Sequence, residues 1–218
     1  MKKRILIGLL LLIFFSSYKP QIAYLNTRFA IQEIKIENTF ILKDSIIKND
    51  LSFLYKKNLI FLKMKKIEEI LKKINFVESF EVKKIYPNKL KIIIVEKKPI
   101  AIMFSKDRKF YLSKNLDLFN FEEIENYKNL PLIFGNKDSF KDLYKNFIKI
   151  NFPINLINKY YLYEAKRWDL ETYKKKIIKL PAENYIKSLE NFMSLRESGN
   201  FEEYTLFDYR INNQLILK

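Results

Sequence analysis

The chain has 218 residues, 48% of them hydrophobic, which allows one or two domains with a real core. It has no cysteine, no histidine and only three scattered glycines (Gly8, Gly135 and Gly199), which excludes thiolate and imidazole catalysis, the commonest zinc sites and glycine-rich phosphate loops. A formal charge of +16, from 41 basic and 25 acidic side chains, points to anionic partners and says nothing of the fold.

Met1-Lys2-Lys3-Arg4 is a positive cluster, followed by the apolar run Ile5 to Phe15 and then Ser16-Ser17-Tyr18. The positive-inside rule keeps residues 1–4 in the cytoplasm and sends the rest across the membrane. A helix over 5–18 is about 21 Å long, short of a hydrocarbon core of about 30 Å, and that length suits a signal peptide. Against cleavage, a cut after Ser16 or Ser17 puts Phe14 or Phe15 where a small side chain is needed. Snorkelling of Lys2, Lys3 and Arg4, with Tyr18 at the far interface, lengthens a short span. Both readings export the bulk of the chain, and the expected organisation is an anchor over 5–18 with a linker over 19–28.

From Phe29 the pattern is that of a folded module. Ile34 and Ile36 alternate with charged residues, as in a half-buried strand. Asp44 or Ser45 is placed to cap a helix with Ile46, Ile47, Leu51 and Leu54 at helical spacing. A second helix is expected over 65–74, with Ile67, Ile70, Leu71 and Ile74 on one face. Phe80 and Val82, then Leu90, Ile92 and Ile94, alternate as two strands around Tyr86-Pro87-Asn88-Lys89. Proline fits that turn by its fixed φ and asparagine by its tolerance of unusual backbone angles. The expected order is β-α-α-β-β, a three-stranded sheet with two helices on one face. The charge excess concentrates here: residues 56–109 hold 16 basic and 6 acidic side chains. That is either a basic face for anionic lipid or an acidic partner, or the lysine-rich usage of an AT-rich genome.

The stretch from Phe76 through Val82-Lys83-Lys84, Tyr86-Pro87-Asn88-Lys89-Leu90 and Glu96-Lys97-Lys98-Pro99-Ile100-Ala101 resembles the closing hairpin of a POTRA domain. It is especially similar to the version in FtsQ/DivIB cell-division proteins, and the spacing from Pro87 to Leu90, Glu96, Pro99 and Ala101 carries the likeness. The resemblance implies a POTRA domain over 29–101.

Further motifs follow in the family's order. Tyr111-Leu112-Ser113 with Leu116 to Phe119 resembles a hairpin that lacks its turn glycine, leaving Asn115 as the residue suited to that backbone conformation. Leu130-Pro131-Leu132-Ile133-Phe134-Gly135 resembles the next motif, and a helix with Phe140, Leu143, Phe147 and Ile150 inward comes after it. Ile154 to Ile157 come next, and a strand is expected over 160–163. Arg167-Trp168-Asp169-Leu170 resembles another family strand, with Trp168 read as core rather than a stacking platform. Ile177 to Leu180 leads to a helix with Tyr185, Leu189, Phe192 and Leu195 on one face, Pro181 being suited to its first turn. Thr205 to Arg210, an Asn212-Asn213 turn and Gln214 to Leu217 resemble the terminal hairpin, Asp208 and Arg210 keeping their places. The expected fold class is α+β: a short transmembrane helix, the POTRA domain, then a mostly antiparallel sheet domain with flanking helices over 102–218.

Enzyme readings are weaker. Ser45-Ile46-Ile47-Lys48 has the S-x-x-K spacing of penicillin-recognising enzymes, but the S-D-N and K-T-G partners are absent. A helix start with a solvated lysine accounts for it. Glu122, Glu123 and Glu125, and Glu202 with Glu203, read as charged loops and strand flanks. Despite a pI near 9.6, the basic stretch lacks any nucleic-acid-binding signature, and export removes it from that compartment. No cofactor, metal, nucleic acid or small-molecule substrate is expected.

What the FtsQ/DivIB resemblance implies is a single-pass inner-membrane scaffold at the division septum, with its bulk in the periplasm. The POTRA half serves recruitment, including of FtsK-like proteins, and the C-terminal sheet binds the FtsB–FtsL pair by adding a partner strand to its last strand. The residues expected to meet the partner are Asp208, Tyr209, Arg210, Ile211, Leu215, Ile216 and Leu217, flanked by Leu189, Phe192 and Met193, whose alternative role is to fill the core. Another class of function is a POTRA-bearing chaperone for outer-membrane or secreted polypeptides.

Overall fold

The computed structural model describes residues 2–17, 27–105, 108–198, 200–211 and 214–218, and the chain divides into two compact units, Met1–Lys97 and Lys98–Lys218. Expectations for Tyr18, for the linker up to Asn26, for the side chains of Lys2, Lys3 and Arg4, and for the Asn212-Asn213 turn lie outside the described residues.

Helix α1 (Lys2–Ser17) has 16 residues, a length of about 24 Å. Its described apolar side chains face outward, from Leu11 and Ile13 at 52% exposure to Phe15 at 72%. No described helix is long and apolar enough to cross a membrane, so the span expected over 5–18 is seen as a short apolar helix.

The first unit then builds a small sheet under two helices. Strand β1 (Glu33–Glu37) buries Ile34 and Ile36 and turns Glu33 and Lys35 outward, as its alternation dictates. Helices α2 (Asp44–Asp50) and α3 (Lys65–Leu71) follow, with a 3-10 turn over Ser52–Leu54 between them. Strands β2 (Val77–Ile85) and β3 (Lys89–Glu96) pair antiparallel, and β1 lies parallel to β3, giving the order β1-β3-β2. Ile47, Leu51, Leu54, Ile67 and Leu71 meet Ile34, Leu90, Ile92 and Ile94 in one core.

Three local expectations are corrected. Neither Asp44 nor Ser45 caps α2; Lys43 holds that position, and the Asp44 carboxylate is already engaged by the Thr39 hydroxyl at 2.6 Å. The second helix stops at Leu71 instead of 74, where the backbone tightens into three-residue turns. Asn88 keeps an ordinary backbone; its amide donates to Gln32 Oε1 at 2.6 Å and its carbonyl accepts from Gln32 N at 2.9 Å.

The second unit is a nine-stranded mixed sheet. Its strands are β4 (Pro99–Ser105), β5 (Arg108–Ser113), β6 (Leu118–Asn120), β7 (Leu132–Phe134), β8 (Ile157–Leu162), β9 (Trp168–Thr172), β10 (Ile177–Lys179), β11 (Leu206–Asp208) and β12 (Ile216–Leu217). They lie in the order β6-β5-β4-β7-β8-β9-β10-β11-β12. Pro99 to Ala101, expected to close the POTRA domain, are the start of β4 in this sheet. Helices α4 (Lys137–Lys149) and α5 (Tyr185–Glu197) are the crossovers that make β7–β8 and β10–β11 parallel. β4–β7 is also parallel, and the remaining pairs are antiparallel. One face carries Ile133, Leu170, Ile178 and Phe207 against Phe140, Leu143, Leu189 and Phe192, and Trp168 is core at 4% exposure.

Two positions show how tightly this core is set. A Cβ on Gly135 would stand 2.9 Å from Leu162 Cβ and 3.1 Å from Trp168 Cη2, so the glycine lets the chain pass under both. In the β5–β6 turn, Leu116 takes the left-handed conformation (φ 62°) expected of Asn115, because its side chain is held in the core. The segment 154–156 is a 3-10 turn, and Pro181 precedes α5 rather than opening it.

Candidate functional site at the sheet edge

The order of the large sheet leaves two terminal strands, β6 and β12. β6 is covered at its end: Tyr111 donates from its hydroxyl to the Glu122 carbonyl at 2.7 Å and packs on Phe119, Phe121 and Tyr127. Exposed Glu122 and Glu123 follow at once, charges of the kind that blunt an edge. β12 carries no acidic side chain from Ile211 to Lys218.

The register of β12 fixes which groups are free. Phe207 faces Leu217 and Asp208 faces Ile216. Leu206 and Lys218 exchange both backbone bonds, at 3.0 and 3.2 Å. In an antiparallel ladder such pairs alternate with non-bonded ones, so Ile216 and Lys218 point their N–H and C=O at β11. Leu217 points its own away from the sheet, and among the described residues no strand pairs with that side. On the other flank of β11, Tyr209 N bonds the Lys179 carbonyl at 2.9 Å, which confirms the phase.

The side chains expected at this site divide into two groups. Ile211 at 51% and Ile216 at 39% are exposed, and the Arg210 side chain is 42% exposed. Leu215, Leu217 and Met193 are half-buried against the core. Asp208 and Tyr209 are buried, and Leu189 and Phe192 are fully so at 0%. Leu189 and Phe192 therefore support the edge from beneath and present nothing to a partner. Asp208 and Tyr209 are withheld because β11 is an interior strand. Beside the edge, a groove of about 440 Å³ is lined by Pro181, Asn184, Lys187, Tyr209, Ile211 and Leu215.

Charge around the edge is ordered by the register. On the face away from the helices, Asp169, Lys179, Asp208 and Ile216 stand side by side on β9 to β12. Arg210 donates through Nε to Asp208 Oδ1 at 2.9 Å and through Nη2 to Oδ2 at 2.6 Å, holding that carboxyl below its usual range. Asp169 is shifted the other way: burial raises it, with Arg167, Lys179 and Arg210 opposing. Tyr209 donates from its hydroxyl to Asn191 Oδ1 at 2.9 Å, tying the end of β11 to α5.

Two buried polar groups escaped the sequence reading as anchors. Glu96 at the end of β3 is 7% exposed and accepts from the backbone N–H of Phe40, Ile41 and Leu42 at 2.8–3.0 Å. Lys176, 4% exposed, donates to the Tyr204 carbonyl at 2.6 Å and the Glu202 carbonyl at 3.3 Å, which fixes the approach to β11. Their signals were a motif glutamate and a lysine flanking a strand, neither of which names a partner. The catalytic-looking strings are spread on the surface: Ser45 is exposed on α2, Glu125 pairs with Lys128, and Glu202 pairs with Lys174 at 2.9 Å.

Residues 29–97 match the family model of the POTRA domain, FtsQ-type. No curated protein matches the chain. The match covers the first folded unit, which is a POTRA domain of FtsQ type, and it supports the likeness to FtsQ/DivIB cell-division proteins.

Proposed function

We propose that this FtsQ/DivIB-like chain is a non-catalytic division scaffold of the inner membrane. Its apolar helix α1 anchors it with the N-terminus in the cytoplasm, and both folded units stand in the periplasm at the septum. The POTRA unit serves recruitment, including of FtsK-like proteins. The second unit receives a strand of the FtsB–FtsL pair along β12. One observation carries the reading: β12 ends the sheet with the backbone groups of Leu217 turned outward, and among the described residues no strand pairs with them. An edge of this kind offers a partner strand hydrogen bonds for affinity and alternate side chains for selection. Here Ile211 and Ile216 are the exposed apolar contacts, with Arg210 beside them.

The helix belongs to the same reading. An apolar run whose described side chains, Ile5, Ile7 and Leu9 to Phe15, are 52–72% exposed has no stable place in water, and lipid is the environment that covers its sides. A span of about 24 Å is accommodated by local thinning and by snorkelling flanks.

The test is binding of the full-length chain in nanodiscs to the periplasmic parts of the FtsB–FtsL pair. Ile211→Glu and Ile216→Glu each place a charge on the exposed side of the edge without touching the core. Each is expected to weaken binding at least about tenfold, since burying an unpaired charge costs more than 1.4 kcal/mol. Unchanged affinity in both variants excludes the edge as the dock. Capture of unfolded outer-membrane polypeptides in place of the pair would support a chaperone.

A further inference from the structure

The strands of the POTRA unit give it two ends. Residues 27–33, 55–63 and 84–89 gather at one, where β1 and β3 begin and β2 finishes. The loop after α2 is tied there: Ile31 N bonds the Lys57 carbonyl at 2.9 Å, Lys56 N bonds the Ile31 carbonyl at 3.0 Å, and Leu59 N bonds the Phe29 carbonyl at 2.8 Å. Lys84 clamps the next turn, donating to the carbonyls of Ile60 and Leu62, both at 3.1 Å. The loop is therefore braced, and it holds Phe61 out at 74% exposure with Ile60 at 39%. Tyr86, 56% exposed, stands edge-on to Phe29 at 6.2 Å, and Ile85 is 42% exposed beside it.

Charge in the loop around Phe61 has one sign. Between Leu51 and Ile67 the chain has Lys56, Lys57, Lys63, Lys65 and Lys66 and no acidic residue. On the strands Lys83 pairs with Glu81 at 2.9 Å and Lys91 with Glu37 at 2.7 Å, and at this same end Lys89 pairs with Glu33 at 2.7 Å. Among the described residues no ion pair involves the five lysines between Leu51 and Ile67. Lys57 and Lys66 lie over the Phe53 ring, at 5.0 and 4.5 Å, a position that leaves their charge unpaired.

The chain enters this same end. Nine residues, 18–26, separate α1 from Thr27, a reach of at most about 30 Å. We infer that the Phe61 end of the POTRA unit docks on the surface of an anionic bilayer, with Phe61, Ile60 and Tyr86 in the headgroup boundary and Lys56, Lys57 and Lys63 on lipid phosphates. Aromatic and aliphatic side chains ringed by lysines suit that boundary, where apolar insertion and attraction to anionic lipid add. A braced loop keeps the ordering cost of docking small. The inference deepens the anchor reading, since a bilayer bound by α1 lies within reach of this end.

The chain has no cysteine, so single cysteines carry a nitroxide without background. The full-length protein is reconstituted in vesicles of equal phosphatidylglycerol and phosphatidylcholine, labelled in turn at Phe61→Cys, Phe40→Cys and Leu10→Cys. Phe40, 88% exposed at the opposite end of the unit, is the aqueous reference. Docking predicts that the label at 61 is several times more accessible to oxygen relative to a nickel chelate than the label at 40. The difference should disappear in pure phosphatidylcholine and in a Lys56→Gln, Lys57→Gln, Lys63→Gln background. Equal aqueous values at 61 and 40, with Leu10 in lipid, overturn the docking and leave the anchor standing. A lipid-exposed 61 with an aqueous Leu10 removes the anchor and keeps the docking. Lipid exposure at 61 that ignores both headgroup charge and the lysines contradicts the proposed surface.

Discussion

Replacing Glu96 by alanine is expected to cost the POTRA unit about 3 kcal/mol, the largest effect of any single polar substitution in it. The carboxylate ends β3 and collects three consecutive backbone donors, from Phe40, Ile41 and Leu42, at 2.8–3.0 Å. Those donors belong to the turn that delivers the chain from β1 to α2. Hydrogen bonds to a charged group contribute about 1.5–3 kcal/mol each, and buried donors left without an acceptor cost about 1–3 kcal/mol. Partial rescue by water and by movement of the loop brings the sum down to about 3 kcal/mol. Glu96→Gln keeps one acceptor oxygen and should recover part of the loss. Urea unfolding followed by far-ultraviolet circular dichroism reads the change, and hydrogen exchange should localise it to residues 38–44. An unchanged midpoint for Glu96→Ala would mean that the carboxylate does not organise the turn.

Leu217→Pro is expected to abolish strand addition with little effect on the fold. The Leu217 N–H points away from β11, so its removal takes nothing from the β11–β12 ladder. Proline is tolerated on an edge strand when its missing N–H faces outward. For a docking strand the same change deletes a central donor and sets a ring in the path of the partner backbone. A loss of at least about tenfold in affinity follows, with stability within about 1 kcal/mol of the parent. Ile216→Pro is the contrasting variant. Its N–H belongs to the ladder, so it should release β12 and lower both stability and binding. Equal affinities for the parent and Leu217→Pro would exclude β-augmentation at this position.

The POTRA unit was legible because its signals are local. Alternation at Ile34 and Ile36, helical spacing at Ile67 and Leu71, and the motif from Pro87 to Glu96 each reflect contacts within a few residues or one hairpin. The role of Glu96 was not legible, because its donors lie more than fifty positions earlier in the chain. Local chemistry also misled where a neighbour had prior claim: Thr39 takes the Asp44 carboxylate from the α2 cap, and core packing assigns the left-handed turn to Leu116 instead of Asn115. In the second unit, helical spacing found the inward face of α5 and left open whether a partner or the core covers it; Leu189 and Phe192 at 0% exposure belong to the core.

The sheet edge shows the same limit. Tyr209 and Asp208 read as outward residues of a terminal hairpin, yet pairing of β11 with both β10 and β12 encloses them. Sequence motifs order strands along the chain, whereas edge position depends on which strands pair across it. The two helical crossovers, which no periodicity reveals, place β10 to β12 at one side of the sheet. That arrangement, more than any single residue type, makes Ile211 and Ile216 the exposed contacts.

Amide hydrogen exchange at Leu215 and Leu217, measured on the full-length chain with and without the FtsB–FtsL pair, tests the scaffold reading most directly. Strand addition predicts that both amides become protected on binding, while Ile216, already in the ladder, changes little. Binding that leaves Leu215 and Leu217 in fast exchange, or protection confined to the face of α5, would contradict a partner strand on β12.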